Sequence, residues 1–167
     1  MSSNRYAAPR AAVSDIESTQ EYQEIRMWSA SGRIGRLRYL AYTTGASLLA
    51  GVAAGVLGGA LGGFGVIVAV LVYIAAVVFN VLIAIQRSHD MDWTGWTVLL
   101  ALIPFVGLIW IFKSGSEGVN AYGAPPPPNT MGVKILGLVL PILFVVGILA
   151  AIAIPAYADY TRRAAGG

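Results

Sequence analysis

The sequence predicts an all-α, polytopic integral membrane protein with four transmembrane helices and a partly disordered N-terminal tail. Composition is the first ground for this. Hydrophobic residues make up 57% of the 167 positions and charged residues 11%, whereas soluble domains carry about 25% charged residues. So small a polar complement cannot cover a water-facing shell, and lipid is the expected solvent. The second ground is that residues 39–86, 93–112 and 135–158 contain no charge. The third is the placement of Lys and Arg. With four crossings, nine of the eleven fall on one face, the asymmetry characteristic of cytoplasmic loops.

Residues 1–27 read as a polar tail. Pro9 and the scattered Ala, Ser and charged residues favour disorder. Ser14-Asp15-Ile16-Glu17 also fits a capping box for a short helix ending near Arg26, although an isolated helix under roughly 12–15 residues is marginal in water. The first 30 residues lack the apolar core of a signal peptide, so the tail is expected to be retained. Residues 28–38 read WSASGRIGRLR. Arg33, Arg36 and Arg38, with Arg26 upstream, crowd the start of the first apolar run. Such residues fix topology and add about 1 kcal/mol each of attraction to anionic lipid. Two readings stand: a topology anchor alone, or a site for anionic lipid headgroups or a partner. Trp28, Tyr39 and Tyr42 suit the interfacial belt.

At ~1.5 Å per residue the uncharged run 39–86 would extend roughly 70 Å, about two crossings of a ~30 Å hydrocarbon core. Spans are expected at 38–57 and 64–85, broken at the glycine-rich residues 58–65. Gly51, Gly55, Gly59 and Gly63 recur every four residues and form a small-residue face for helix packing, either inside the chain's own bundle or in a homo-oligomer. Asn80, an amide in lipid, needs a partner, a neighbouring helix rather than a solute. The third span is expected over 93–112, capped by Asp92 or Thr94, kinked at Pro104 and ended by Lys113. Residues 114–130 form a loop in which Pro125 to Pro128 make a polyproline II spacer, or a ligand for an aromatic groove. The fourth span covers 135–158, with Pro141 and Pro155 inside it. Four spans put both termini in the cytoplasm with Arg5, Arg10, Arg26, Arg33, Arg36, Arg38, Arg87, Arg162 and Arg163, and leave Lys113 and Lys134 outside. The chain divides into a tail (1–27), a three-span domain (28–128), and a last helix with a short tail (129–167).

Between the second and third apolar runs lies a polar island, residues 86–96, read as a cytoplasmic turn. It holds Arg87, His89, Asp90 and Asp92. Zinc usually takes three or four ligands from His, Cys and carboxylate; the chain has one His and no Cys, so no metal or other cofactor is expected. General acid–base chemistry by His89 and Asp90 is the enzymatic alternative. The structural reading is an ion-paired turn, with Arg87 or the first-span arginines facing Asp90 and Asp92. No phosphate-binding loop, dinucleotide glycine pattern or nucleophile elbow occurs. No charge lies deep in a span, which disfavours ion-coupled transport, and Thr43, Tyr73 and Asn80 are thin lining for a solute channel. Nucleic-acid binding is disfavoured, because the arginines flank apolar spans rather than a soluble basic face.

Several short motifs follow in order: Gly32-Arg33-Ile34-Gly35-Arg36 with Tyr39, Arg87-Ser88-His89-Asp90 with Gly95-Trp96, Ile103-Pro104 with Gly107, and Gly118-Val119-Asn120-Ala121-Tyr122-Gly123. On these, residues 28–128 resemble the bacterial inner-membrane family catalogued as domain-of-unknown-function family 805. The resemblance implies a small polytopic inner-membrane protein and no particular activity. It marks Arg33, Arg36, Arg87, His89 and Asp90 as signature polar positions at the cytoplasmic face. Ser88 stands where the family more often has an apolar residue. Separately, residues 147–161, GILAAIAIPAYADYT, resemble the N-terminal helix of type IV pilins. The cleavage glycine and buried glutamate of that pattern are missing from residues 131–138. Pilins also insert with the basic end of this helix in the cytoplasm, whereas the four-span layout puts Lys134 outside. The span is then a borrowed apolar helix or a segment that contacts pilins. The resulting expectation is a non-enzymatic structural or interaction component. The alternatives are a small-solute channel or transporter, an accessory of type IV pilus assembly, and a membrane-surface enzyme using His89 and Asp90.

Overall fold

A computed structural model describes residues 21–166. The capping box at 14–17 and most of the expected tail lie outside the described residues, and residues 21–26 carry no helix. The order is α1 (Arg36–Ala60), α2 (Gly62–Asp90), a 3-10 helix (Gly95–Leu102), α3 (Leu108–Phe112) and α4 (Met131–Ala165), with no strand among the described residues. Three helices, α1, α2 and α4, are long and apolar enough to cross a membrane. Their 25, 29 and 35 residues each exceed the roughly 20 that a crossing needs. Large aliphatic side chains such as Leu49, Val56, Ile67 and Leu149 lie exposed along them, which suits lipid and not water.

The turn between α1 and α2 is tighter than the expected break at 58–65. Leu61 alone separates the helices; its N–H donates to Leu57 O at 3.1 Å. Gly62 follows with φ +56°, a conformation glycine adopts without steric cost. α1 is the central helix, packed against both α2 and α4. Asn80 Nδ2 on α2 donates to Ser47 Oγ on α1 at 3.1 Å, so its partner is a neighbouring helix.

α2 runs five residues past its expected end at 85 and draws Gln86 to Asp90 into its last turn. The island is therefore half helix, and the connecting turn shrinks to residues 91–94. Arg87 and His89 suit the negative end of the helix dipole. Asp92, at φ +60°, closes the helix. Asp92 N donates to His89 O at 3.0 Å and Trp93 N to Ser88 O at 2.9 Å, the paired bonds of a Schellman ending.

The expected span at 93–112 is not one helix. After the 3-10 helix the chain breaks at Ile103 to Val106, where Phe105 has φ +66°, and α3 has five residues. Pro104 is the cause: it disfavours the helical region for Ile103, which is extended. The backbone N–H groups of Ile103, Val106, Leu108, Ile109 and Trp110 are each bonded to the carbonyl three residues back, so the broken segment carries its own hydrogen bonds. Both of its ends return to one place. The Trp93 and Trp110 rings lie 5.8 Å apart, and Lys113 Nζ sits 5.3 Å from the Trp93 ring. The segment is a hairpin whose two ends meet, and it supplies none of the three helices long and apolar enough to cross a membrane.

This overturns the placement of Lys113 and Lys134 opposite Arg87. Arg87 Nη2 donates to Lys113 O. α4, which Thr130 caps by accepting from Val133 N at 3.4 Å, starts beside the start of α1: a Cβ on Gly137 would lie 2.5 Å from Leu37 O. α1 and α4 run in the same direction, and the 35-residue α4 carries Arg162 and Arg163 to the far end. The expected return of the C-terminal residues to the face of the arginines does not fit this arrangement. An odd number of long helices separates the two ends of the described chain.

Candidate functional site

Buried residues gather at one end, where Arg33, Gln86, Arg87, Ser88 and Asp90 lie among Ile34, Ile83, Met91 and Trp110. Gly32, at φ +96°, turns the chain before α1, and Ile34 N then donates to Gln86 O at 3.2 Å. That register aims Arg33 at the last turn of α2. Its Nε and Nη2 donate to Asp90 Oδ1 at 3.2 and 3.1 Å. Nη1 donates to Gly118 O at 2.6 Å and Gly123 O at 3.0 Å, and Nη2 also to Ser116 O at 2.7 Å. All five guanidinium donors are thereby engaged.

Arg87 approaches Asp90 from the same helix. Nη1 donates to Asp90 Oδ2 at 2.6 Å, Nε to Trp110 O at 2.9 Å, and Nη2 to Lys113 O. The two arginine side chains are 0% exposed and Asp90 5%. Two cations and one carboxylate share a pocket from which water is excluded, and backbone carbonyls satisfy the guanidinium donors that the carboxylate does not reach. Such an arrangement tolerates burial only when every partner is present. Gly115 is part of it, since a Cβ there would lie 2.1 Å from Asp90 Oδ2. Ser116 N and Oγ close on Asp90 O at 2.7 and 2.8 Å.

His89 points elsewhere. Its ring stacks on Tyr122 at 3.9 Å and 5°, and Nδ1 is 3.2 Å from Gly32 O, which assigns the proton to Nδ1. Asn120 Nδ2 bridges His89 O and Ser116 Oγ, both at 2.8 Å. Of the five signature positions, Arg33, Arg87 and Asp90 meet directly and His89 adjoins them. Arg36 does not join them: it is exposed, and its Nη1 reaches Phe112 O at 3.2 Å. Asp92 is not in the cluster either and receives Ala121 N at 3.3 Å. Arg38 is buried, donating to Pro127 O and Pro128 O at 3.1 Å each, which ties the proline run to α1. Among the described residues no group of three His, Cys, Asp or Glu converges. The glycine face lies apart, and an added Cβ at Gly51, Gly55, Gly59 or Gly63 would meet nothing within 4 Å, so no helix among the described residues covers it.

Reading by residue type missed Trp110, whose Nε1 donates to Ser88 Oγ at 2.9 Å, and Gln86, whose Nε2 reaches Arg26 O and Ser29 O at 2.9 and 2.6 Å. The carbonyls of residues 113–123 were missed as ligands of the arginines. Only the motif at 118–123 pointed to that loop.

The chain is similar to "Inner membrane protein YhaI" of Escherichia coli strain K12 and of Escherichia coli O157:H7. Each is 38% identical over 61 residues, which cover 34% of this chain and 52% of the relative. The chain thus spans about half the length of the curated relatives it matches. No solved structure matches it significantly. Residues 27–124, more than half of the chain, match the family described as "Protein of unknown function (DUF805)" and enclose the whole clasp from Arg33 to Gly123; the chain belongs to that family.

Proposed function

We propose that this is a multi-pass protein of a bacterial inner membrane with a non-enzymatic, structural or interaction role. The saturation of the clasp carries this reading. A general base must offer a lone pair to a substrate within about 3 Å, and the Asp90 carboxylate is closed between two guanidiniums. The inner-membrane assignment draws on the name of the E. coli relatives. His89→Phe keeps the stack on Tyr122 and removes proton transfer. Expressed at the native level in a strain lacking the protein, it should restore whatever the wild type restores. Loss of function with a folded variant would favour the surface enzyme instead.

The clasp end belongs in the cytoplasm on this reading. Arg26, Arg33, Arg36, Arg38, Arg87, Lys113 and Lys134 lie at that end, against Arg162 and Arg163 at the far end of α4, and basic residues favour the cytoplasmic side. Reporters fused after residues 128 and 165 should then report opposite compartments. The same compartment for both would restore an even number of crossings. In this orientation α4 enters with Lys134 inside, the sense in which a pilin helix inserts. That favours pilus-assembly accessory as a second reading, tested by crosslinking α4 to pilins in membranes.

A further inference from the structure

A trough of about 970 Å³ opens beside α1, at the large end of small-molecule sites. Its floor is α1 between Tyr39 and Val52, its far wall is α4 around Leu140 to Val145, and Asn80 of α2 closes the near side. The floor changes character with depth. Tyr39, Thr43 and Thr44 line the upper part, where Thr43 Oγ1 donates back to Tyr39 O at 2.8 Å, while Gly51, Val52, Leu143 and Phe144 line the lower part. The deeper polar pair is satisfied in part: Asn80 Nδ2 donates to Ser47 Oγ at 3.1 Å, while Asn80 Oδ1 is buried without a partner among the described residues.

Cations stand above the trough on both of its helices. Arg36 is seven residues before Thr43, two turns up the same helix face. It is exposed, unlike buried Arg33, Arg38 and Arg87. Lys134 is also exposed and lies one turn before Gly137, which abuts Leu37. Arg36 and Lys134 therefore sit at one level at the starts of two adjacent helices.

We propose that the trough holds one anionic phospholipid. Its phosphate lies between Arg36 and Lys134, its ester oxygens accept from the hydroxyls of Tyr39 and Thr44, and an acyl chain runs down past Gly51 and Phe144. The descent from cation to hydroxyl to hydrocarbon matches a phospholipid from phosphate through ester to chain. A docked helix, apolar along its length, would gain nothing from such a gradient. The inference goes beyond the proposed function and stands independently of it.

Native mass spectrometry of the full chain in detergent, offered equal amounts of phosphatidylglycerol and phosphatidylcholine, tests this. A one-to-one phosphatidylglycerol adduct should dominate. Arg36→Gln combined with Lys134→Gln should weaken it by roughly ten- to thirty-fold, the loss expected for two surface cations. Gly51→Leu, at a position where an added Cβ meets no atom within 4 Å, should fill the lower trough and lower retention with the fold intact. Glycerophosphate, a headgroup without chains, should not compete. Equal retention of the two lipids, adducts untouched by both variants, or displacement by glycerophosphate would each overturn the proposal. So would a dimer that Gly51→Leu disperses while lipid retention stays unchanged, which would make the trough a face for a second copy.

Discussion

At the clasp, Arg33 places all five of its donors on protein oxygens; half-way down α1, an added methyl group at Gly51 or Gly55 would meet no atom within 4 Å. The two regions belong to one helical hairpin and obey different constraints. In the clasp, Arg33 and Arg87 are held largely by partners from distant parts of the sequence, Asp90 for Arg33 and the carbonyls within 110–123 for both, with the Arg87–Asp90 bond the local exception. Removing one member leaves others buried and unpaired. In the spans, lipid surrounds apolar side chains whose identity is loosely constrained, and backbone hydrogen bonds within each helix supply the order. Substitutions should therefore be costly at one end and mild in the middle of the same chain.

Asp90→Ala gives the sharpest test of that contrast. Two fully buried guanidiniums would lose the one carboxylate that pairs with them among the described residues, and breaking a buried ion pair in this way costs about 3–5 kcal/mol. Unfolding in detergent micelles should show a large fall in midpoint. Proteolysis should open residues 113–128 before the long helices, because those carbonyls are held by the arginines. Because the pairs are buried, the wild-type midpoint should depend little on salt. An unchanged midpoint in Asp90→Ala would mean that the clasp does not hold this end together.

A smaller effect is expected from Gly115→Ala. Its Cβ would lie 2.1 Å from Asp90 Oδ2, so the loop must shift or the carboxylate must turn away from Arg87. Overpacking of this kind costs about 1–3 kcal/mol. The same unfolding measurement checks it. A neutral result would show that the loop bearing Ser116 and Gly118 is compliant, and that the bonds from Arg33 can be remade at little cost.

Much of this was legible in the sequence, for unequal physical reasons. The long helices α1, α2 and α4 were visible because lipid solvation demands uncharged stretches of a set length, and Arg87 and Asp90 are close in the chain as well as in space. The segment 93–112 was misread because its composition alone suits a span. What decides against one is backbone geometry at Ile103, Pro104 and Phe105 and the return of Trp110 to Ser88, neither of which composition records. The expected layout follows from counting it as a span, whereas Lys113 and the start of α4 lie at the end of the molecule that holds Arg87. The pairing of Arg33 with Asp90 spans 57 residues and had no local signal beyond a shared membrane face. Backbone carbonyls as partners of Arg33 and Arg87 carry no side-chain identity at all, so residues 118 and 123 could enter only through the motif that contains them, and residue 116, just before it, had no signal of its own.

Gly51→Ala is the smallest and most discriminating change. Among the described residues nothing resists the methyl group, and alanine is a better helix former than glycine by up to about 1 kcal/mol. The unfolding midpoint should stay level or rise slightly, in contrast to Gly115→Ala, although both replace glycine by alanine. That pair isolates the surroundings from the residue type. A fall at Gly51 would mean that something outside the chain approaches this face closely, as small-xxx-small faces permit. The middle of α1 would then be as constrained as the clasp, by a partner instead of by its own loops.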